Sequence, residues 1–443
     1  MKGSGKVIPW LATAWQYNAD YTTLTFTLRK GVKFHDGTDF NATAAKFSLD
    51  LVLNSTLVDL KTVSSIDAVD DSTLRLNLKT YDSALLISLA SYLCPMVSPT
   101  AVQSMGKDAA MLHPVGTGPF KFVSYTRDVS IKYEKFTGYW QPGKPYLDAL
   151  EIDLIADPVT QLASFKAGEA QIMRAIATSD AAALQSTGKY ALAAQEMSID
   201  CLATDSAHIS SPFCDIRVRQ AIAYAIDNAA VAKAIGMGFF TPCNQLISPM
   251  NYAYNPNVVG YPYNVTKAKQ LLSDAGYPKG LDTKLSYRAG AFEGDYCTML
   301  QGYLKAVGIN VQIDLADAAR FNDFRVKGFQ SQMVHYTMPA GAEKDMSYYF
   351  RDRLSDKGSM FNTTIYFPSD YLDSLSKVNI ERDDAKRIAL LQAVDKMAVD
   401  TYLLVIPIQV ETAVSATSNV VHDSDVYKYY AMCYHPENVW LSK

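Results

Sequence analysis

Stretches with the hydrophobic period of a strand alternate along the chain with stretches that have the period of a helix. LTFTLRKGVKF places Leu24, Phe26 and Leu28 on one face and resumes after Gly31, which predicts a strand, a turn and a second strand. TLRLNL and INVQID alternate in the same way. TYLLVIPIQV is apolar but shorter than the about 20 residues that cross a bilayer, and it predicts a buried strand.

The predicted helices can be placed by the residues that precede them. Asn41 before ATAAKFSLDLVL, Asn264 before VTKAKQLLSDA and Asp383 before DAKRIALLQAV are predicted N-caps, because their side chains can accept a hydrogen bond from the first helical turn. Helices that alternate with strands predict an α/β fold. A chain of 443 residues exceeds the roughly 250–300 that one core supports, so two lobes are expected.

Composition and motifs exclude several classes of function. The net charge is only -4 and no run is rich in Lys or Arg, which argues against nucleic acid and anionic membrane as partners. The six His residues are scattered, and neither HExxH nor GxSxG occurs, so we expect no metal site, no cofactor and no enzymatic activity. The GxG of HPVGTGPF lacks a third Gly and is followed by Pro119, which favours a structural turn.

The cysteines leave two interpretations open. Six occur in the chain, and none forms a CxxC pair. They are either buried thiols or, if the protein is exported, partners in one or two structural disulfides.

Blocks of sequence that stand in a fixed order carry a family resemblance. They include LRKGVKFHDGTDFNATAAKFSLD at Leu28–Asp50, VGTGPFKFVSYTRDVSIKYEKFTGYWQPGKPYLDALEIDLI, FKAGEAQI, DIRVRQAIAYAIDNAAVAKAI and LKAVGINVQI. In this order they resemble the family 5 extracellular solute-binding proteins of bacterial ABC importers, the dipeptide, oligopeptide and nickel-binding group.

The resemblance implies a fold and a function. The fold is a two-lobed α/β structure of the type II periplasmic-binding-protein kind, with mixed sheets flanked by helices and the ligand in the cleft between lobes. Lobe I is expected at residues 1–203, lobe II at 204–410, and the chain returns to lobe I at 411–443. The implied protein is a monomer that captures a peptide or similar small solute and delivers it to a membrane permease.

The resemblance begins part-way into the family pattern, at VIPWLATAW. We therefore expect an upstream signal sequence and one further strand. The implied location is the periplasm, or the outer surface of the cell with a lipid anchor.

The candidate ligand residues follow from the same resemblance. Peptide-binding members carry a Trp-Gly-x-Asp run whose Asp pairs with the peptide amino group, and MVHYTMPAGAEKDMSYYF takes its place here, with Tyr336 at the Trp position. We expect the pocket at the end of the strand QSQMVHYTM, where Pro339 should stop strand pairing. The expected ligand-binding residues are Tyr336, Thr337, Met338, Glu343, Asp345, Arg288 and Asp205.

The absence of a Trp and of a directly following Asp leaves the ligand class open. A metal chelate, a sugar or an opine is an alternative to a peptide. A chemosensory binding protein that does not serve transport is an alternative to an importer subunit. Tyr336 itself could pack in the core instead of contacting a solute.

Overall fold

The computed structural model describes residues 7–55, 60–288, 293–341, 345–426 and 435–442. The strands are β1 Ala12–Tyr17, β2 Thr23–Leu28, β3 Val63–Asp70, β4 Thr73–Leu78, β5 Phe120–Thr126, β6 Ser130–Lys135, β7 Ala149–Asp153, β8 Ile172–Met173, β9 Tyr190–Thr204, β10 Thr241–Pro242, β11 Leu281–Arg288, β12 Ile309–Ala316, β13 Met333–Pro339, β14 Val405–Ser418, β15 Val421–His422 and β16 Trp440–Leu441.

The helices lie between these strands and in places follow one another directly. They are α1 Ala42–Leu53, α2 Leu85–Leu89, α3 Pro99–Met105, α4 Lys107–Leu112, α5 Pro158–Ala167, α6 Thr178–Thr187, α7 Ile216–Ala225, α8 Asn228–Gly236, α9 Val265–Asp274, α10 Glu293–Ala306, α11 Ala318–Lys327, α12 Met346–Arg353, α13 Ser369–Ile380 and α14 Asp384–Lys396. In the part of the chain that the structure describes, no helix combines the length and apolarity that a membrane span requires.

The first part of the chain forms two antiparallel sheets. One has the strand order β1-β2-β4-β3 and the other the order β5-β6-β7. The apolar faces of β2, β3 and β4 pack against α1, and the resulting core contains the fully buried Leu24, Phe34 and Leu76. This core is separate from the larger one that follows.

The larger core surrounds a mixed sheet in the second part of the chain. The strand order of this sheet is β10-β14-β9-β13-β11-β12, and the short strand β8 also pairs with β14. β11 is parallel to both β12 and β13, whereas β9 is antiparallel to both β13 and β14. Buried Val218 and Ile222 of α7 and Leu300 and Leu304 of α10 belong to the same core. The predicted α/β class is confirmed.

Two long strands connect the parts of the molecule. β9 and β14 pair along their lengths, from Val405 opposite Ala203 to Ser418 opposite Tyr190. One end of this ribbon lies in the larger core, whereas Val414 and Ala416 at the other end lie in a small core with α5 and α6. The register is irregular between 407 and 409 and between 411 and 412, so the ribbon changes its local geometry midway.

The predicted N-caps are confirmed at the atomic level. Asn41 accepts from the backbone N–H of Ala44, and Asn264 accepts from that of Lys267. Asp383 caps α14 in the same way. Each cap satisfies a backbone donor that the first helical turn leaves without a partner.

Two local predictions are wrong. After Gly31 no second strand forms, and only an isolated bridge joins Lys33 to Asp39, because this segment folds onto the loop at Gly116. Pro339 does not stop pairing, since it lies opposite Ser198 and the next N–H, that of Ala340, donates to the carbonyl oxygen of Met197. A proline removes one donor from the ladder and leaves the neighbouring donors in place.

Among the described cysteines, the structure shows free thiols. No disulfide joins Cys94, Cys201, Cys214, Cys243 or Cys297, and four of them, all except Cys214, are buried. Burial raises the pKa of the Cys94 thiol to about 11 and that of Cys243 to about 12. Cys433 lies outside the described residues.

Candidate functional site

A cavity opens at the carboxyl ends of the parallel strands β11 and β13. Leu285 lies opposite Met333, so the register brings the end of β11 level with Tyr336. The volume of the cavity is about 350 Å³, within the range of small-molecule sites. The lining residues are Arg288, Phe321, Arg325, His335, Tyr336, Thr337, Arg353, Met360 and Phe361.

The direction of β13 shows which way the cavity faces. β13 starts beside Thr204, deep in the larger core, and ends beside Ser198 in the middle of the β9–β14 ribbon. The carboxyl ends of β13 and of its parallel neighbour β11 therefore point toward the first part of the chain. Ligands of layered α/β proteins bind at this end of the strands.

Tyr336 forms an apolar part of the cavity wall. Its side chain is buried, its ring meets Phe361 edge to face at 5.3 Å between centroids, and its hydroxyl lies 3.4 Å from the Met338 sulfur. Burial raises the pKa of Tyr336 well above its ordinary value. Tyr336 thus packs in the larger core and also lines the cavity.

His335 connects the cavity to the ribbon. Its Nε2 lies 3.2 Å from one carboxylate oxygen of the fully buried Asp200 on β9. The other carboxylate oxygen of Asp200 accepts a hydrogen bond from Gln409 on β14 at 2.7 Å. A residue of the cavity wall is therefore linked to β9 directly and to β14 through Asp200.

Three arginines provide the charged part of the wall. Arg353 donates from Nη1 to the carbonyl oxygen of Thr337 at 2.8 Å, and Nε of Arg325 lies 2.9 Å from the Met360 sulfur. Burial lowers the pKa of Arg325, and the positive charges of Arg353 and Arg288 lower it further. The guanidinium groups are therefore close enough to affect one another electrostatically.

Three of the predicted ligand residues line this cavity, namely Tyr336, Thr337 and Arg288. Met338 is fully buried in the core and does not line the cavity. Glu343 lies outside the described residues.

The two predicted aspartates lie elsewhere, and each stabilises local backbone. Asp205 is fully buried and accepts hydrogen bonds from His208 Nδ1 at 2.6 Å and from the backbone N–H of Ser331 at 2.7 Å. Asp345 is the N-cap of α12 and accepts from the backbone N–H of Ser347. Neither belongs to the cavity wall.

Sequence reasoning missed Arg325 and Arg353. Each lies in the last turn of its helix, α11 or α12, where basic residues commonly occur because they interact favourably with the helix dipole. Nothing in the local sequence separates that ordinary role from a place in a cavity, and the signal appears only when both helices are placed beside β13.

Helix α12 lies between the cavity and the first part of the chain. Arg351 forms an ion pair with Asp82 of the segment before α2, with Nη2 3.3 Å from the carboxylate. The hydroxyls of Ser83 and Ser347 lie 3.3 Å apart. Arg353, two residues after Arg351, faces the cavity instead. One short helix thus contacts both parts of the molecule.

Further contacts join the same two parts nearby. The guanidinium of Arg382 lies over the ring of Tyr21, 4.3 Å from its centroid, and 6.0 Å from that of Tyr81. Tyr17, Tyr21 and Tyr81 form an aromatic cluster with centroid separations of 5.1 to 5.6 Å. These contacts show where the two parts of the molecule meet.

Comparison with known proteins decides the family. Residues 6–359 match the model of bacterial extracellular solute-binding proteins, family 5. The chain belongs to this family. The predicted family membership is therefore confirmed.

Curated relatives support the assignment. The chain is 36% identical over 321 residues to the glutathione-binding protein GsiB of Pectobacterium atrosepticum, which covers 71% of this chain and 62% of that protein. It is 32% identical over 420 residues to GsiB of Shigella dysenteriae, which covers 92% of this chain and 81% of that protein. The chain thus spans about three fifths of the first relative's length and four fifths of the second.

A solved structure shows the same fold. The periplasmic binding protein AgaA from A. tumefaciens R10, in complex with agropinic acid, superposes with a TM-score of 0.80 at 26% identity and covers 100% of this chain and 91% of that one. The predicted two-lobed periplasmic-binding-protein fold is confirmed.

Proposed function

We propose that this chain is the solute-capturing subunit of an ABC importer, which encloses a peptide or similar small solute between two lobes and delivers it to a membrane permease. The observation that carries this is the position of the cavity, at the strand ends that face the first part of the chain. Closure of lobes around a ligand is a common form of domain motion. In this proposal the protein catalyses no reaction and acts as a monomer. It is located outside the cytoplasmic membrane, with or without a lipid anchor.

The division into lobes is part of the proposal. Lobe I would comprise residues 1–203 and 411–443, and lobe II residues 204–410. Two facts support this division: the larger core draws its buried residues from Ile199 to Val410, and a separate core lies between Leu24 and Cys94. The ribbon of β9 and β14 would then be the hinge, with its irregular register near 411 at the boundary.

Tyr336, Thr337 and Arg288 are proposed to contact the solute, since they line the cavity. The test is native mass spectrometry of protein purified without denaturation, followed by small-angle scattering with and without the identified solute. We expect a retained small molecule and a more compact particle when it is present. Conversion of the solute, or a particle whose dimensions never respond to any retained molecule, would contradict the proposal.

A further inference from the structure

The cavity contains more positive than negative charge. Arg288, Arg325 and Arg353 all line it, and a guanidinium stays protonated in proteins. Among the described residues the carboxylate that approaches this group is Asp352, whose oxygen lies 4.0 Å from Nε of Arg353. His335 also lines the cavity, and its Nε2 lies 3.2 Å from the carboxylate of Asp200, which is fully buried and does not itself line the cavity. Counting the three lining arginines against Asp352 leaves an excess of two positive charges at the cavity wall.

The hydrogen-bonding capacity of these arginines is also not used up. Nε of Arg353 is buried, and no acceptor lies within hydrogen-bonding distance of it in the described part of the chain. Arg288 is exposed at the end of β11 and makes no ion pair with a described residue. Clustered guanidinium groups with unused donors are a typical arrangement for binding carboxylate or phosphate groups.

The remaining wall indicates that the anion is organic. Phe321, Tyr336, Met360 and Phe361 give the cavity an apolar side, and its volume of about 350 Å³ exceeds what an inorganic ion fills. An inorganic ion would leave this apolar surface uncovered, whereas the carbon skeleton of a solute can pack against it.

We propose that the cavity binds the acidic part of a small organic solute that carries at least two carboxylates. Two carboxylates match the excess of two positive charges. The inference rests on the proposed function, because it names the solute class for the same site. It differs from the expectation of a generic peptide, which has one terminal carboxylate and a terminal amine.

Isothermal titration calorimetry on the full chain tests the inference. The acidic probes are glutathione, Asp-Glu and Glu-Glu, each compared with a counterpart whose carboxylates are blocked as amides or esters, and the neutral probe is trialanine amide. We expect at least one acidic probe to bind, and its blocked counterpart to bind at least tenfold more weakly. Affinity for the acid should also fall with rising salt, because screening weakens charge–charge attraction.

Matched variants locate the effect. Arg288→Gln and Arg325→Gln should each weaken binding of the acidic probe about tenfold or more, since a charge-assisted bond is among the stronger polar contacts. Arg320→Gln is the control, because Arg320 lies on the same helix as Arg325 but pairs with Asp314 at 2.6 Å outside the cavity. Arg288 has no structural partner in the described residues, so its variant separates binding from folding.

The outcomes are distinct. Equal binding of acid and blocked probe, or loss of affinity in Arg320→Gln as large as in Arg288→Gln, would overturn the inference. Binding of trialanine amide without binding of any acidic probe would overturn the inference and leave the proposed solute-binding function standing. Failure of every probe to bind, together with no retained molecule in native mass spectrometry, would count against both.

Discussion

Asp395 makes the stability of this protein depend on pH in an unusual direction. The residue lies near the end of α14 and is fully buried, and one carboxylate oxygen accepts from the backbone N–H of Leu246 at 2.9 Å. The other carboxylate oxygen is buried without a hydrogen-bond partner in the described residues. Burial raises the pKa of Asp395 to about 7, and the charge of Asp400 adds to this effect.

The sign and size of this pH dependence follow from the linkage between proton binding and folding. With a pKa of 3.8 in the unfolded chain and about 7 in the folded one, the folded state binds the proton more tightly. Stability is therefore greatest below the unfolded value and is lost as the pH rises toward 7, by at most about 4 kcal/mol at 1.36 kcal/mol per pKa unit. Between pH 5 and pH 8 the loss attributable to this group is about 2–3 kcal/mol.

Replacement by asparagine removes the titration and keeps an oxygen for Leu246. Asp395→Asn should be no more stable than the parent at pH 5, because its amide buries two donors in place of the one that the protonated carboxyl carries, and a buried donor without an acceptor costs about 1–3 kcal/mol. Relative to the parent, it should gain about 2–3 kcal/mol between pH 5 and pH 8. Asp20→Asn, at an exposed turn, is the control and should show no such trend.

The assay is urea unfolding of parent and variants at pH 5, 6, 7 and 8, followed by circular dichroism. The pH trend, and not the stability at one pH, carries the test, since it is insensitive to the amide's own packing cost. A difference between Asp395→Asn and the parent that stays constant within about 0.5 kcal/mol over this range would refute the reasoning.

Three further substitutions test particular contacts. His35→Ala should lower the melting temperature and leave solute affinity per folded molecule unchanged, because Nε2 of His35 lies 3.0 Å from the Gly118 carbonyl oxygen in a structural loop. A selective loss of affinity in calorimetry would contradict this prediction. Tyr336→Ala should destabilise by about 3–5 kcal/mol as a core truncation. Tyr336→Phe should cost less than about 1 kcal/mol in chemical unfolding, since the hydrogen-bond partner of the hydroxyl among the described residues is a sulfur, which is a weak acceptor. In a double-mutant cycle, Asp82→Asn and Arg351→Gln should show about 1–2 kcal/mol of coupling in solute affinity, because the ion pair joins the two parts of the molecule and Asp82 is buried. Additive effects of the two substitutions on affinity would exclude a role of this ion pair in solute binding.

The sequence by itself determined the local elements and the family. The caps at Asn41, Asn264 and Asp383 formed as predicted because a cap depends on the side chain and the three residues that follow it. Strands such as β4 and β12 followed from alternation of period two, which is also a local property. The family followed from ordered motifs.

Only the tertiary structure decided the burial of Tyr336 and the strand pairing at Pro339. Tyr336 became a core residue as well as a cavity residue because Phe361, distant in sequence, packs against its ring. The ladder continued through Pro339 because Ala340 could bond to Met197 of β9. Burial and partner strands are properties of the assembled fold, so no pattern within one segment could predict either result.

The charged cavity shows the same distinction most clearly. Arg288 and Arg353 are the last residues of β11 and α12, and Arg325 lies in the last turn of α11. Each is an ordinary residue in its local context. The parallel register of β11 and β13, with α11 and α12 packed at their ends, brings the three side chains around one cavity. Electrostatic interaction acts through distance in space, so the cluster exists only once the chain has folded.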